Sequence, residues 1–150
     1  MAALAVDLLR LDRQICFPLY AASNMLTRLY RPVLEKLGLT YPQYLVMLVL
    51  WESAPHSVGD LGSKLHLDSG TLTPLLKRLE QAGFVSRRRD ADDERRVLVH
   101  LTRSGRALKR PARAVPATLA KSLNVPLSDV ETLRRAVQAM VAVLSSRLDL

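Results

Sequence analysis

Cysteine is almost missing from this chain: Cys16 is the only one in 150 residues. A single thiol cannot form an intrachain disulfide, so burial must hold the fold, and a reducing, cytoplasmic setting is expected. Aromatic residues are scarce at 5%, which leaves Leu, Val and Ala to build most of the core. There is no repeat, no low-complexity tract and no Gly/Ser linker. Long apolar runs are absent too. The longest, LVMLVLW at 45–51, is far too short to cross a bilayer. The first nine residues, MAALAVDLL, lack a basic stretch and do not read as a signal peptide. His100 has no partner at ligand spacing, so neither a metal nor another cofactor is expected.

What is present is apolar bulk and clustered positive charge. Hydrophobic residues make up 49%, enough for one packed domain. The net charge is +8, and residues 77–113 carry nearly all of it, with twelve Lys or Arg against five Asp or Glu. A solvated basic face would look similar, but clustering on this scale favours a polyanion, whose counterions are released on binding.

Along the chain the apolar period is mostly helical. Leu19, Ala22, Leu26, Leu29, Val33 and Leu37 mark one helix face, with Gly38 placed to cap its end. Thr40 and Gln43 have capping-box spacing, and Pro42 suits the first turn. The helix they open, to about Ser53, is apolar nearly all round, so it should be central and Trp51 should be core. Ser57 caps a short helix over roughly 58–65. After the polar turn HLDS, a further helix ends near Gly83, with Leu72, Leu75, Leu76 and Leu79 on one face. Pro74 within it implies a late start or a distorted first turn. FVSRRR and RRVLVHLT then flank DADDE, the pattern of a β-hairpin. Ser104 is placed to cap the next helix, which Pro111 and Pro116 should kink or divide. Ser128 and Glu131 form a second capping-box pair after Pro126. The final helix shows Val130, Leu133, Val137, Val141 and Leu144 at helical spacing, a face that must cover a core or a partner chain.

Two short helices, a polar turn and a basic hairpin describe a winged helix-turn-helix: mainly α, with a small β-hairpin wing, an α+β fold. The second helix suits a major groove, and the Arg-rich hairpin suits phosphates or the neighbouring minor groove. Ser69, Thr71, Thr73, Lys77 and Arg78 lie off the leucine face and are DNA-contact candidates, with Asp68 at the turn and Arg87 and Arg96 in the hairpin. Asp93 and Arg95, two apart in an extended stretch, share a side. The carboxylate could orient the arginine toward DNA, or the turn could simply be solvated.

CFPLY at 16–20, LTYPQYLVMLVLWE at 39–52, LDSGTLTPLLKRLEQAG at 67–83 and DERRVLVHLT at 93–102 resemble the MarR family of winged-helix repressors, in its organic hydroperoxide resistance regulator branch. The likeness spans most of residues 14–105; the last 45 match only as a helical region. It implies a homodimer on an inverted-repeat operator in double-stranded DNA. Residues 1–39 and 104–150 would be dimerisation helices and 40–103 the winged domain. It also implies that Asp93 and Arg95 serve the wing, and that Ser69, Thr71, Lys77 and Arg78 lie on the DNA-reading segment.

Cys16 taken alone is more often a small buried hydrophobe than a reactive group. Its neighbours shift that balance. Pro18 favours a helix start here, and helix N-termini stabilise the thiolate that attacks peroxide. Tyr20 follows at i+4. Tyr30 is fourteen residues on, the same side of the helix but about 21 Å away at 1.5 Å per residue. It is therefore out of reach within one chain and reachable only from a second, antiparallel helix across a two-fold axis. Tyr41 lies just beyond and can approach from the same side. The resemblance implies the same set, Cys16 held by Tyr20, Tyr30 and Tyr41, partly from the other subunit. There is no second cysteine to trap a sulfenate, so a small cellular thiol or over-oxidation must complete the reaction.

The expected function is a dimeric, non-enzymatic repressor that releases its operator when organic hydroperoxide oxidises Cys16. Three other readings stay open by sequence. One is a repressor released by a small aromatic or apolar ligand, with Cys16 incidental. The second is a thiol peroxidase, which lacks a resolving cysteine and a positioned His–Asp pair. The third is a non-specific nucleoid-type binder, which strong salt dependence without preference for one inverted repeat would favour.

Overall fold

The structure is a computed structural model that describes residues 8–148. After a 3-10 turn at Leu11–Arg13, the elements run α1 (Cys16–Glu35), α2 (Tyr41–Glu52), β1 (His56–Ser57), α3 (Val58–Leu65), α4 (Ser69–Gln81), β2 (Val85–Arg89), β3 (Val97–Leu101), α5 (Arg103–Ala112), α6 (Ala114–Leu123) and α7 (Leu127–Leu148). The expected mainly helical winged helix-turn-helix is present.

Helix α2 occupies the centre, as its all-round apolar sequence requires, and it buries Val46, Met47, Leu50 and Trp51. Leu34 and Leu39 pack on it from the end of α1. Leu61, Leu72, Leu76 and Leu79 join the same core from α3 and α4, and Val115 and Leu119 join it from α6. Each side chain of this size contributes about 1.5–3 kcal/mol when fully buried. The Trp51 indole N–H is satisfied by the Gly105 carbonyl at 2.9 Å, and Lys109 Nζ donates to the Trp51 carbonyl at 2.7 Å. Together these two bonds lock α2 to α5.

Capping follows the sequence in most places. The Thr40 N–H donates to Gln43 Oε1 at 2.8 Å. The Asp60 N–H donates to Ser57 Oγ at 3.0 Å, opening α3. Gly38 and Gly83 adopt left-handed φ of 69° and 79°. At both, the next residue's N–H reaches back five positions (Leu39 to Leu34, Phe84 to Leu79), the Schellman closure of a helix end.

Prolines resolve individually. Pro18 is the third residue of α1, where its missing N–H is among those a helix leaves unpaired anyway. Pro74 neither delays nor ends α4, which starts at Ser69 and runs through it. Pro111 closes α5 and Pro116 sits in the first turn of α6, so the expected division falls at Arg113.

Three details differ from the sequence reading. The sheet has three strands in the order β1-β3-β2, because His56 and Ser57 pair with Val99 and Leu98 before Ser57 caps α3. The cap of α5 is Thr102, whose Oγ1 accepts from the Gly105 N–H at 3.0 Å, not Ser104. Finally, α7 begins at Leu127, so Ser128 is inside it. Glu131 turns forward to Arg134 and Arg135 instead of closing a capping box.

The first half of α1 and all of α7 bury little. No residue of α7 is buried, and Leu133 and Val143 stand 65% and 61% exposed.

Gly105 is required by close approach: a Cβ there would lie 2.0 Å from the Phe84 carbonyl oxygen. Gly105→Ala is expected to destabilise by about 3 kcal/mol or more in urea unfolding. Gly59→Ala, in α3 with only Ser57 Oγ at 3.8 Å, should be neutral or stabilising.

Candidate DNA interface and thiol site

Helix α4 stands on its leucine face, so its other side is solvent-facing by default. Asp68, Ser69, Thr71, Thr73, Lys77 and Arg78 are all exposed there. Asp68 is the N-cap: the Thr71 N–H donates to its Oδ1 at 2.7 Å and the Thr71 hydroxyl to its Oδ2 at 3.1 Å. These bonds, backbone first, hold the Asp68 carboxyl below its usual range. The Thr71 hydroxyl proton is thereby committed within the chain.

The wing arginines divide. Arg87 is bound to Glu80 of α4, with Nη2 to Oε2 at 2.8 Å and its backbone N–H to Oε1 at 2.9 Å. Its side chain is only 27% exposed. It ties the root of the wing to α4, and the sequence reading, which placed it among DNA contacts, did not foresee Glu80 as its partner. Arg96 turns back between Asp60 at 3.6 Å and Asp90 at 3.7 Å. Arg95 stands at the tip, 92% exposed, with Nε 3.3 Å from Asp93 Oδ1. The expected Asp93–Arg95 pair forms, but through a turn: the Arg95 N–H also bonds Asp93 Oδ1 at 3.1 Å. A cleft of about 470 Å³ between α4 and the wing is lined by Thr73, Arg87, Arg95 and Arg96.

Cys16 is exposed and is the first residue of α1, with Tyr20 exposed one turn on. Tyr30 lies near the other end of the same unbroken helix, about 21 Å along the axis. The structure brings Tyr30 and Tyr41 together, ring centroids 4.7 Å apart. It adds Tyr44, 6.0 Å from Tyr30, which the sequence reading passed over although it follows Tyr41 at i+3. Trp51 continues the row, 6.4 Å from Tyr44. Burial raises the pKa of Tyr30, Tyr41 and Tyr44, so all three hydroxyls keep their protons at neutral pH and can donate.

Residues 28–111 match the family described as Transcriptional regulator SarA/Rot. The organic hydroperoxide resistance transcriptional regulator of Bacillus subtilis is 43% identical over 141 residues, 94% of this chain and 96% of that protein. AbfR of Staphylococcus epidermidis, reduced and bound to DNA, is 34% identical over 90% of this chain and 94% of its own, with a TM-score of 0.76. Overoxidised AbfR bound to DNA gives 0.72, and its disulfide form 0.62. A MarR-family regulator from Rhodococcus sp. RHA1 gives 0.77 at 26% identity, covering 88% of this chain and 95% of that one. An exposed basic helix and wing on this fold define a winged-helix transcriptional regulator. Within that class the chain belongs to the MarR-type family, in the group that holds the organic hydroperoxide resistance regulators.

The Glu80 carboxyl is held below its ordinary value, first by the Arg87 side chain and then by the Arg87 N–H. A depressed folded pKa stabilises at high pH and is lost as pH falls through it. The tie is thus fully present above the ordinary glutamate range and is lost as pH falls below it. Glu80→Gln should flatten that part of the Tm-versus-pH curve; an unchanged acid limb would show that the pair contributes nothing.

Proposed function

We propose that this protein is a homodimeric repressor that binds an inverted repeat while Cys16 is reduced and releases it after Cys16 meets an organic hydroperoxide. The observation that carries this reading is the position of Cys16: exposed in the first turn of a helix whose far end sets Tyr30 against Tyr41 of α2. Two such helices run antiparallel about a two-fold axis would set each thiol against the partner's protonated tyrosines. The uncovered apolar faces of α1 and α7 are the surfaces such a dimer would bury.

The chemistry balances with one thiol. The thiolate takes the terminal oxygen of the hydroperoxide, giving a sulfenate and an alcohol. A small thiol then displaces water from the sulfenic acid to leave a mixed disulfide. AbfR is bound to DNA even when overoxidised, so we assign release to this bulkier cap and not to further oxidation. The row Tyr30, Tyr41, Tyr44 and Trp51, joined at Gly105 to α5, offers a packed route from the place where the other subunit's thiol would sit to the base of the wing.

A ligand-released repressor is the second reading, favoured by a cleft bordered by Tyr44, Trp51 and Lys109. At about 210 Å³ it falls below the roughly 300–1,000 Å³ of ordinary small-molecule sites, so it ranks second.

Cys16→Ser should bind operator as tightly as the wild type and keep it after tert-butyl hydroperoxide with a small thiol. The wild type should lose at least about tenfold in affinity and consume one equivalent of peroxide per chain. Release of DNA by the serine variant, or sustained turnover of peroxide, would overturn the reading.

A further inference from the structure

Helix α4 has an unusual outer edge. At about 100° per residue, Gly70, Pro74, Lys77 and Gln81 form the line opposite Leu72, Leu76 and Leu79. All four are exposed and all three leucines are buried. A helix that reads a major groove does so mainly through its N-terminal residues. Here that part of the edge has no polar side chain: it is glycine, then proline one turn later.

Proline has no N–H, so the Gly70 carbonyl loses the donor that would close its α-helical bond. The pyrrolidine ring also crowds that carbonyl and tilts it outward. Glycine keeps side-chain bulk off this edge, where a Cβ would lie only 3.1 Å from Asp68 Oδ1. The Thr71 hydroxyl, next along, already donates to Asp68. On this edge the leading half of α4 therefore offers a main-chain acceptor that lacks its helical donor because of Pro74, beside the exposed Ser69 and Thr73 hydroxyls.

We propose that the Gly70 carbonyl, released by Pro74, is a specificity determinant that accepts a hydrogen bond from the exocyclic amino group of one base in each half-site. In the major groove only adenine N6 and cytosine N4 present such a donor. Guanine O6 and thymine O4 would set acceptor against acceptor after both had lost water, and that mismatch is what discriminates. The inference rests on α4 being the groove-reading helix and adds the atom that reads.

The test is selection of duplexes from a random pool by full-length reduced protein, wild type against Pro74→Ala. Alanine restores the N–H and occupies Gly70 within the helix, so the variant should fold with an unchanged or higher Tm. The wild type is expected to prefer adenine or cytosine at one position per half-site, and Pro74→Ala to lose that preference by roughly tenfold while the other positions and the salt dependence stay as they were. A second arm needs no variant. Replacing that base in the selected operator by its analogue lacking the amino group (purine for adenine, pyrimidin-2-one for cytosine) should weaken the wild type by a similar factor. The same replacement should leave Pro74→Ala unaffected. Identical preferences in both proteins, or equal effects of the analogue on both, would overturn the proposal while leaving α4 as the reading helix. Absence of any sequence preference in the wild type would overturn both.

Discussion

A continuous α-helix is a fixed spacer, and α1 is one of twenty residues, about 30 Å long. It holds Cys16 and Tyr30 on one side yet at opposite ends. Neither can serve the other within a chain, whatever the loops do. The constraint survives two prolines because of where they fall. Pro18 sits among residues whose N–H groups need no helical partner, and Pro32 costs one rung while the helix runs on to Glu35. A sensor that used both residues would therefore need a second copy, and the uncovered apolar faces of α1 and α7 are what a second copy would use.

The same economy appears in the winged domain. Helix α2 is buried on nearly all sides, so anything that shifts Tyr41 or Tyr44 moves the element against which α3, α4 and α5 are packed. Its far end is clamped twice, by the Trp51 indole on the Gly105 carbonyl and by Lys109 on the Trp51 carbonyl. Gly105 lies against Phe84 at the root of the wing. The Arg87–Glu80 pair then joins wing to α4. Helix, wing and tyrosine cluster are thus one packed body, through which a rearrangement at the tyrosines would pass by direct contact.

Much of this was legible in the sequence because it depends on local rules. Thr40–Gln43, Ser57 and the two glycine closures are short-range bonds with fixed spacing. The leucines of α4 mark its inner face by period alone, and the distance argument on Tyr30 needed only the rise of a helix. What escaped depends on tertiary neighbours. β1 is two residues long, too short to show a period, and exists because β3 passes beside it. Thr102 outcompetes Ser104 as a cap because it is the residue where the strand turns into the helix; its hydroxyl also reaches the Gly83 carbonyl at 2.6 Å. Arg87 looked like one more wing cation, and only folding reveals Glu80, seven residues earlier, beneath it.

The claim that each thiol is served by tyrosines of the other subunit can be measured in mixed dimers that retain a single Cys16. In one, a Cys16→Ser chain pairs with a Tyr30→Phe chain; the surviving thiol then faces an intact Tyr30 across the interface. In the other, a wild-type chain pairs with a chain carrying both substitutions, and the surviving thiol faces phenylalanine. Cross-subunit contact predicts a wild-type rate of reaction with organic hydroperoxide in the first dimer and a slowed rate in the second. A slow first dimer and a wild-type second dimer would mean that the tyrosine acts within its own chain, contradicting the spacing that α1 imposes.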